Sequence, residues 1–180
     1  MHREAASLKP SRRHRRKLGN VQVLPTIRLA TAADAQAIAA LSRDAIEHGL
    51  RWRYTPARIL AAIHSRTTNV AVAHAHGALH AFAIMDYADT TAHLVLLGVQ
   101  ASQRRRGLGR QLLAWLEDAA RVAGIERIDV ECRADNPGAI AFYRNQGYRV
   151  QDVVARYYDG RIDAVRLAKR LLMAPPATPD

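Results

Sequence analysis

Apolar residues recur along this chain at two alternating spacings, and the switches between them predict its elements. Thr26–Ala30 reads as a first strand. Thr31, with acidic Asp34 three residues on, marks a helix start. Ile38, Leu41, Ala45 and Ile46 follow at helical spacing, and Gly49 ends the helix. Thr55 and Pro56 open a second helix, with proline at its favoured first position and Ile59, Leu60 and Ile63 on the buried side. Three strands are expected next, Asn69–Ala75, Ala78–Asp86 and Ala92–Val99, with His76 and Gly77 as a tight turn between the first two. The dense apolar run Leu94–Val99 predicts a strand covered on both faces.

Helical spacing returns at Leu108, Leu112, Leu116 and Ala119, and Gly124 stops it. Arg127–Arg133 alternates cleanly, with Ile128, Val130 and Cys132 on one face and Asp129, Glu131 and Arg133 on the other. Asn136 caps a further helix with Pro137 at its first position. That helix carries Ile140, Ala141 and Tyr143 and stops at Gly147. Two last strands, Tyr148–Ala155 and Ile162–Ala168, meet around Asp159 and Gly160, a hairpin signal. The order β-α-α-β-β-β-α-β-α-β-β predicts an α/β fold with a mixed sheet. A single domain is expected over residues 26–172, between a basic, disordered arm (1–25) and a loose proline- and alanine-rich tail (173–180).

Composition narrows the setting. The chain has one cysteine, Cys132, so it can form no intramolecular disulfide, as suits a reducing, cytoplasmic setting. No apolar run approaches the roughly 18 residues of a membrane span, so no membrane partner is expected. The formal charge of +11 is concentrated: Arg3, Lys9, Arg12, Arg13, Arg15, Arg16 and Lys17 stand against Glu4 alone within the first twenty residues. A weak RNA or ribosome contact is therefore a reading of the arm, not of the domain. Monomer and homodimer both remain open.

The chemistry concentrates in the turn from Gln103 to Arg110, where a buried strand runs through glycines and arginines into a helix. Such a turn aims unpaired backbone N–H groups and the positive helix end at one spot, which suits phosphate. A Walker A loop is absent, because Gly109 is followed by Arg110 and Gln111 in place of lysine and a hydroxyl residue. A dinucleotide fingerprint is also absent, because Leu112 replaces its third glycine. The pattern [RQ]-x-x-G-x-[GA] is complete as Arg104, Gly107 and Gly109.

With the strand end Leu97-Gly98-Val99 and the segment Asn136-Pro-Gly-Ala-Ile-Ala-Phe-Tyr143, this turn resembles the GNAT superfamily of N-acetyltransferases over roughly residues 26–170. The resemblance implies acetyl-CoA as acetyl donor and a single GNAT domain with a mixed, mostly antiparallel sheet flanked by helices. It places the donor on Leu97, Val99, Arg104, Arg105, Arg106, Gly107, Leu108, Gly109, Arg110 and Asn136. The Leu97 backbone N–H would polarise the thioester carbonyl at a splay or bulge, for which Gly98 is suited. Val99 and Ala101 backbone groups would pair with pantetheine.

Acetyl transfer to an amine also needs a neutral nucleophile and a proton for the leaving thiolate. Tyr143 matches the family's acid position, and a tyrosine hydroxyl keeps its proton at neutral pH. The stretch from Val130 to Tyr143 resembles the ribosomal-protein N-terminal acetyltransferases, which implies Glu131 as a base acting through water. The alternative for Glu131 is a surface ion pair with Arg133 or Arg149, and His93 and Asp86 are weaker rivals as base. The segment Arg156–Asp163 strengthens the same likeness, implying that its tyrosines hold a peptide N-terminus. The expected acceptor is thus a protein or peptide N-terminal α-amine, with lysine, a polyamine or another small amine as alternatives. A non-catalytic acyl-CoA-binding module is the rival of another class. Glu47–Tyr54 carries no pattern that fixes the acceptor. Trp52 and Tyr54 read equally as groove or as loop anchors. Cys132, on the apolar strand face, reads as an inert buried thiol.

Overall fold

The structure is a computed structural model and describes residues 25–75 and 77–171. Residues 1–24 of the basic arm, His76 and the tail lie outside the described residues. The elements are β1 (Thr26–Leu29), α1 (Ala35–Ala45), α2 (Pro56–His64), β2 (Thr68–Ala75), β3 (Ala78–Tyr87), β4 (Thr91–Val99), α3 (Leu108–Val122), β5 (Arg127–Arg133), α4 (Pro137–Asn145), β6 (Arg149–Tyr158) and β7 (Ile162–Arg170). They follow the order expected from the hydrophobic spacing. Short 3₁₀ turns at Ala32–Asp34 and Ala101–Gln103 lead into the helical segments α1 and α3.

Seven strands form one sheet in the order β1-β2-β3-β4-β5-β7-β6. Every neighbouring pair is antiparallel except β4 and β5. Helices cover both faces. On one, Leu108, Leu112, Leu113, Leu116 and Ala120 of α3 meet Met85, Leu94, Ile128, Val130 and Leu167. On the other, Ile38 and Ala39 of α1 and Ile59 of α2 meet Val70, Val72, Phe82, Ile84 and Leu96. The buried stripe of α3 runs to Ala120, while Ala119 is only partly buried. In α4, Ala141 is exposed and Tyr143 takes the buried position.

Two irregularities in β4 set the direction of its side chains and free part of its edge. Opposite β3, Ile84 pairs with Leu96 and Met85 with Leu94, so Val95 is an extra residue. A bulge exchanges the faces of a strand. Accordingly Ala92 and Leu94 join the α3 side, Leu96 joins the α1–α2 side, and Leu97 and Val99 return to the α3 side. Opposite β5, the parallel pairing ends at His93 with Asp129, and from there the two strands part. Gly98 is not the irregular residue. A Cβ there would stand 2.6 Å from Phe82 Cε1, so glycine is required by packing against that buried ring.

Candidate active site

The gap between β4 and β5 is lined by open backbone. Gln100 N–H donates to His80 C=O at 2.8 Å, toward β3. Backbone groups alternate sides along a strand, so Gly98 and Leu96 also face β3, while Leu97 and Val99 face the gap. The Val99 carbonyl accepts from Arg104 Nε at 3.2 Å. Beyond it, Arg105 and Gly107 take left-handed backbone angles, φ 64° and 81°, and turn the chain into α3. The first bond of α3 runs from Gln111 N–H to Gly107 C=O. The helix therefore leaves the N–H groups of Leu108, Gly109 and Arg110 open. Gly107 is needed for its positive φ, whereas a Cβ at Gly109 would meet only ordinary contacts, 3.5 Å from Val99 and 3.6 Å from Leu97 and Phe142.

Among the described residues, Arg104, Arg105, Arg106 and Arg110 form no ion pair with a carboxylate. Guanidinium groups with no carboxylate partner among the described residues, a helix start and a row of strand N–H groups together fit a ligand with a phosphate end and an amide-rich arm. Asn136 lies across the gap, and its Oδ1 accepts from Ala139 N–H at 3.0 Å, capping α4.

A cleft of about 480 Å³ opens where β4 and β5 part, reached by Leu97, Glu131, Cys132, Asn136, Tyr143, Tyr157 and Tyr158 among others. The Tyr143 ring is only 6% exposed and lies edge-on to Phe142 and Tyr148, at 5.1 and 5.6 Å. Burial, reinforced by Cys132 and Tyr158, pushes its hydroxyl well above the usual tyrosine range, so it stays protonated at neutral pH. Burial also raises the Cys132 thiol to about 11, which fits the inert role expected of it.

Glu131 departs from the surface ion pair considered for it. Arg133 instead forks onto Asp135 at 2.8 and 2.7 Å, and Glu131 is met by His93 Nε2 at 2.5 Å and Arg166 Nε at 3.4 Å. The register explains this: Arg166 lies directly opposite Glu131 on β7, and His93 sits on β4 where the parallel pairing ends. Arg166 reaches on to Asp152 of β6 at 3.2 Å, so a charged row crosses four strands. The hydrogen bond from His93 holds Glu131 below the usual carboxylate range, and the same bond raises His93 above its ordinary value. Asp86 is occupied by the Thr68 hydroxyl at 2.7 Å and does not border this cleft.

The far wall comes from the segment that carried no pattern in the sequence. Glu47, 7% exposed, accepts from the Ser42 hydroxyl at 3.0 Å, Arg53 N–H at 2.6 Å and Tyr54 N–H at 3.3 Å. It is the hub on which the loop between α1 and α2 folds. A glutamate directly after an apolar helix end was its only signal in the sequence. Asp159, at the β6–β7 turn, accepts Arg51 N–H at 2.7 Å and pairs with Arg53 at 3.2 Å, fastening that loop to the hairpin. Arg133 adds a bond to the His48 carbonyl at 3.0 Å. Arg156 takes φ 53° and donates its N–H to Asp163. The β6–β7 register breaks there, and Tyr157 and Tyr158 come to border the cleft. Trp52 stays outside under Arg43, whereas Tyr54 borders the cleft with the Arg58 guanidinium 4.6 Å above its ring.

Comparison with known proteins agrees with this geometry. Residues 32–148 match the Acetyltransferase (GNAT) family. A [ribosomal protein bS18]-alanine N-acetyltransferase of Salmonella typhimurium is 35% identical over 96 residues, which cover 52% of this chain and 65% of that protein. The chain thus aligns with less than two thirds of that curated relative's length. The crystal structure of the ribosomal-protein-S18-alanine N-acetyltransferase from Escherichia coli superposes with a TM-score of 0.73 at 28% identity, covering 87% of this chain and all of that one. A Salmonella typhimurium protein, yncA, solved with its cofactor acetyl-CoA, shares the fold with a TM-score of 0.70 at 24% identity, covering 87% of this chain and 98% of that one. Acetyl-CoA is the donor that the family match, such neighbours and the open β4–β5 gap support. The chain belongs to the acetyltransferase (GNAT) family.

Proposed function

We propose that this protein transfers the acetyl group of acetyl-CoA to the α-amine of a protein or peptide N-terminus, by direct attack with both substrates bound. The observation that carries this reading is the cleft itself. It brings Leu97, on the strand end that leads into the phosphate-ready turn, together with the Glu131–His93 pair, Tyr143 and a tyrosine-bordered mouth. The donor supplies the activated acetyl group and a good leaving thiolate. The turn residues Arg104, Arg105, Arg106, Gly107, Leu108, Gly109 and Arg110 would bind its pyrophosphate, and the Val99 backbone its pantetheine arm, beside Asn136. The Leu97 N–H would stabilise the charge developing on the carbonyl oxygen.

Glu131 and His93 would act as one proton-accepting unit. The carboxylate raises the basicity of the imidazole, and the proton they share belongs to the pair. An α-amine of pKa about 8 is roughly one-tenth neutral at pH 7, whereas a lysine amine of pKa about 10.4 is neutral about once in 2,500 molecules. Such a pair suffices for the first and is poorly matched to the second. Tyr143, kept protonated by burial, would return a proton to the thiolate. No helix among the described residues is long and apolar enough to cross a membrane, and we place the reaction in the cytoplasm.

The test is turnover of acetyl-CoA by the full chain with a panel of unblocked peptides, their N-acetylated counterparts, and lysine and polyamine acceptors. Release of CoA with unblocked peptides alone supports the reading. Equal or greater turnover with lysine side chains or polyamines would overturn it.

A further inference from the structure

We infer that the acceptor carries a carboxylate close to its reacting amine, an acidic side chain near the peptide N-terminus, and that Arg58 and Arg51 at the mouth of the cleft read it. The inference rests on the proposed α-amine chemistry and names which N-termini satisfy it. The charges around the mouth carry it. Arg51, Arg53, Arg58 and Arg133 all border the cleft. Asp135 and the His48 carbonyl hold Arg133, and Asp159 holds Arg53. Glu47 is taken up by the Ser42 hydroxyl and two backbone N–H groups.

Arg51 uses its backbone N–H on Asp159, and among the described residues its side chain pairs with no carboxylate; nor does that of Arg58. Both residues are exposed. Arg58 is not free to wander, because its guanidinium is stacked 4.6 Å above the Tyr54 ring. A guanidinium fixed on an aromatic face presents its edge to a planar anion, the geometry that carboxylate recognition requires.

The same charges act on the reacting end. Arginines around the mouth disfavour a second positive charge on the acceptor, and they favour the neutral form of its amine over the ammonium. Polycationic acceptors are therefore the worst fit to this entrance, and an acidic residue beside the amine the best.

The experiment measures kcat/KM of the full chain at low salt for three C-terminally amidated peptides, Ala-Glu-Ala-Ala, Ala-Gln-Ala-Ala and Ala-Lys-Ala-Ala. The glutamate peptide should exceed the glutamine peptide by about tenfold, the worth of one charge-assisted hydrogen bond, with the lysine peptide lowest. Arg58→Glu should invert the order of the glutamate and lysine peptides. Arg51→Glu, at an exposed position, should do the same to a smaller degree and serves if the first variant folds poorly. Equal turnover of the glutamate and glutamine peptides by the unaltered protein, or an order unchanged in both variants, overturns the inference while leaving the α-amine reading standing. Turnover of lysine or polyamine with none of the three peptides would remove both.

Discussion

Replacing Gly98 by alanine is expected to destabilise the protein and to weaken donor binding together. The added Cβ would stand 2.6 Å from Phe82 Cε1 and 3.3 Å from Ile46 Cδ1. Carbon atoms prefer about 3.5–4.0 Å, so one partner must move by roughly an ångström. Phe82 has nowhere to go: it is wholly buried and lies opposite Gly98 in the β3–β4 register. Overpacking of this kind costs about 1–3 kcal/mol, and at roughly 2–4 °C per kcal/mol for a chain of this size Tm should fall by about 4–8 °C at the middle of that range. If the strand moves instead of the ring, the Leu97 and Val99 N–H groups move with it, and KM for acetyl-CoA should rise.

Gly109→Ala provides the contrast, since its Cβ would meet nothing closer than 3.5 Å and the residue is helical. Without ligand that variant should gain about 0.5 kcal/mol. Urea unfolding with matched slopes measures both variants. A Gly98→Ala protein as stable as the unaltered one, or more stable than Gly109→Ala, would refute the packing argument.

Other expected outcomes test the site and the scaffold. Tyr143→Phe should lower kcat by about a hundredfold or more while leaving the Kd for acetyl-CoA nearly unchanged; isothermal titration beside steady-state kinetics separates the two, and an unchanged kcat removes Tyr143 from the mechanism. In kcat/KM against pH, the rise assigned to the Glu131–His93 pair should lie above the ordinary histidine value and move to lower pH in Glu131→Gln, because the carboxylate that raises His93 is gone. The same profile in the variant would detach Glu131 from the proton step. Asp34 is held far below the usual carboxylate range, first by Arg28 and then by the Thr31 N–H and hydroxyl. A lowered folded-state pKa contributes stability above the unfolded value of about 4 and loses it as pH falls below that. Asp34→Asn should therefore cost about 2 kcal/mol at pH 7 and progressively less below pH 4 in denaturant titrations.

The elements proposed to hold the donor were legible in the sequence because they are local. The run from Leu97 to Arg110 is one strand end, one turn and one helix start, and each residue would act through its own backbone or its own charge. The wall proposed for the acceptor was not, because it is assembled from Glu47–Arg58, Glu131–Arg133 and Tyr157–Asp159, which meet only through contacts such as Asp159 with Arg51. Spacing along the chain carries no trace of a bond between residues more than a hundred positions apart. The Glu131–His93 pair was missed for the same reason: it depends on where β4 and β5 stop pairing. Gly98 shows the opposite failure. A glycine in a strand suggested an irregularity, but the extra residue is Val95, and the glycine answers to a neighbouring ring.

The extra residue at Val95 makes β4 two half-strands of opposite phase joined end to end. Deleting Val95 would restore plain alternation and leave Leu97 and Val99 on the α3 side. A residue taken into the ladder beyond it, not bulged out, would instead turn Leu97 and Val99 toward α1 and α2 and carry their N–H groups to the β3 edge. The Ala92–Val99 segment therefore has one residue it can lose in place and none it can pair in addition.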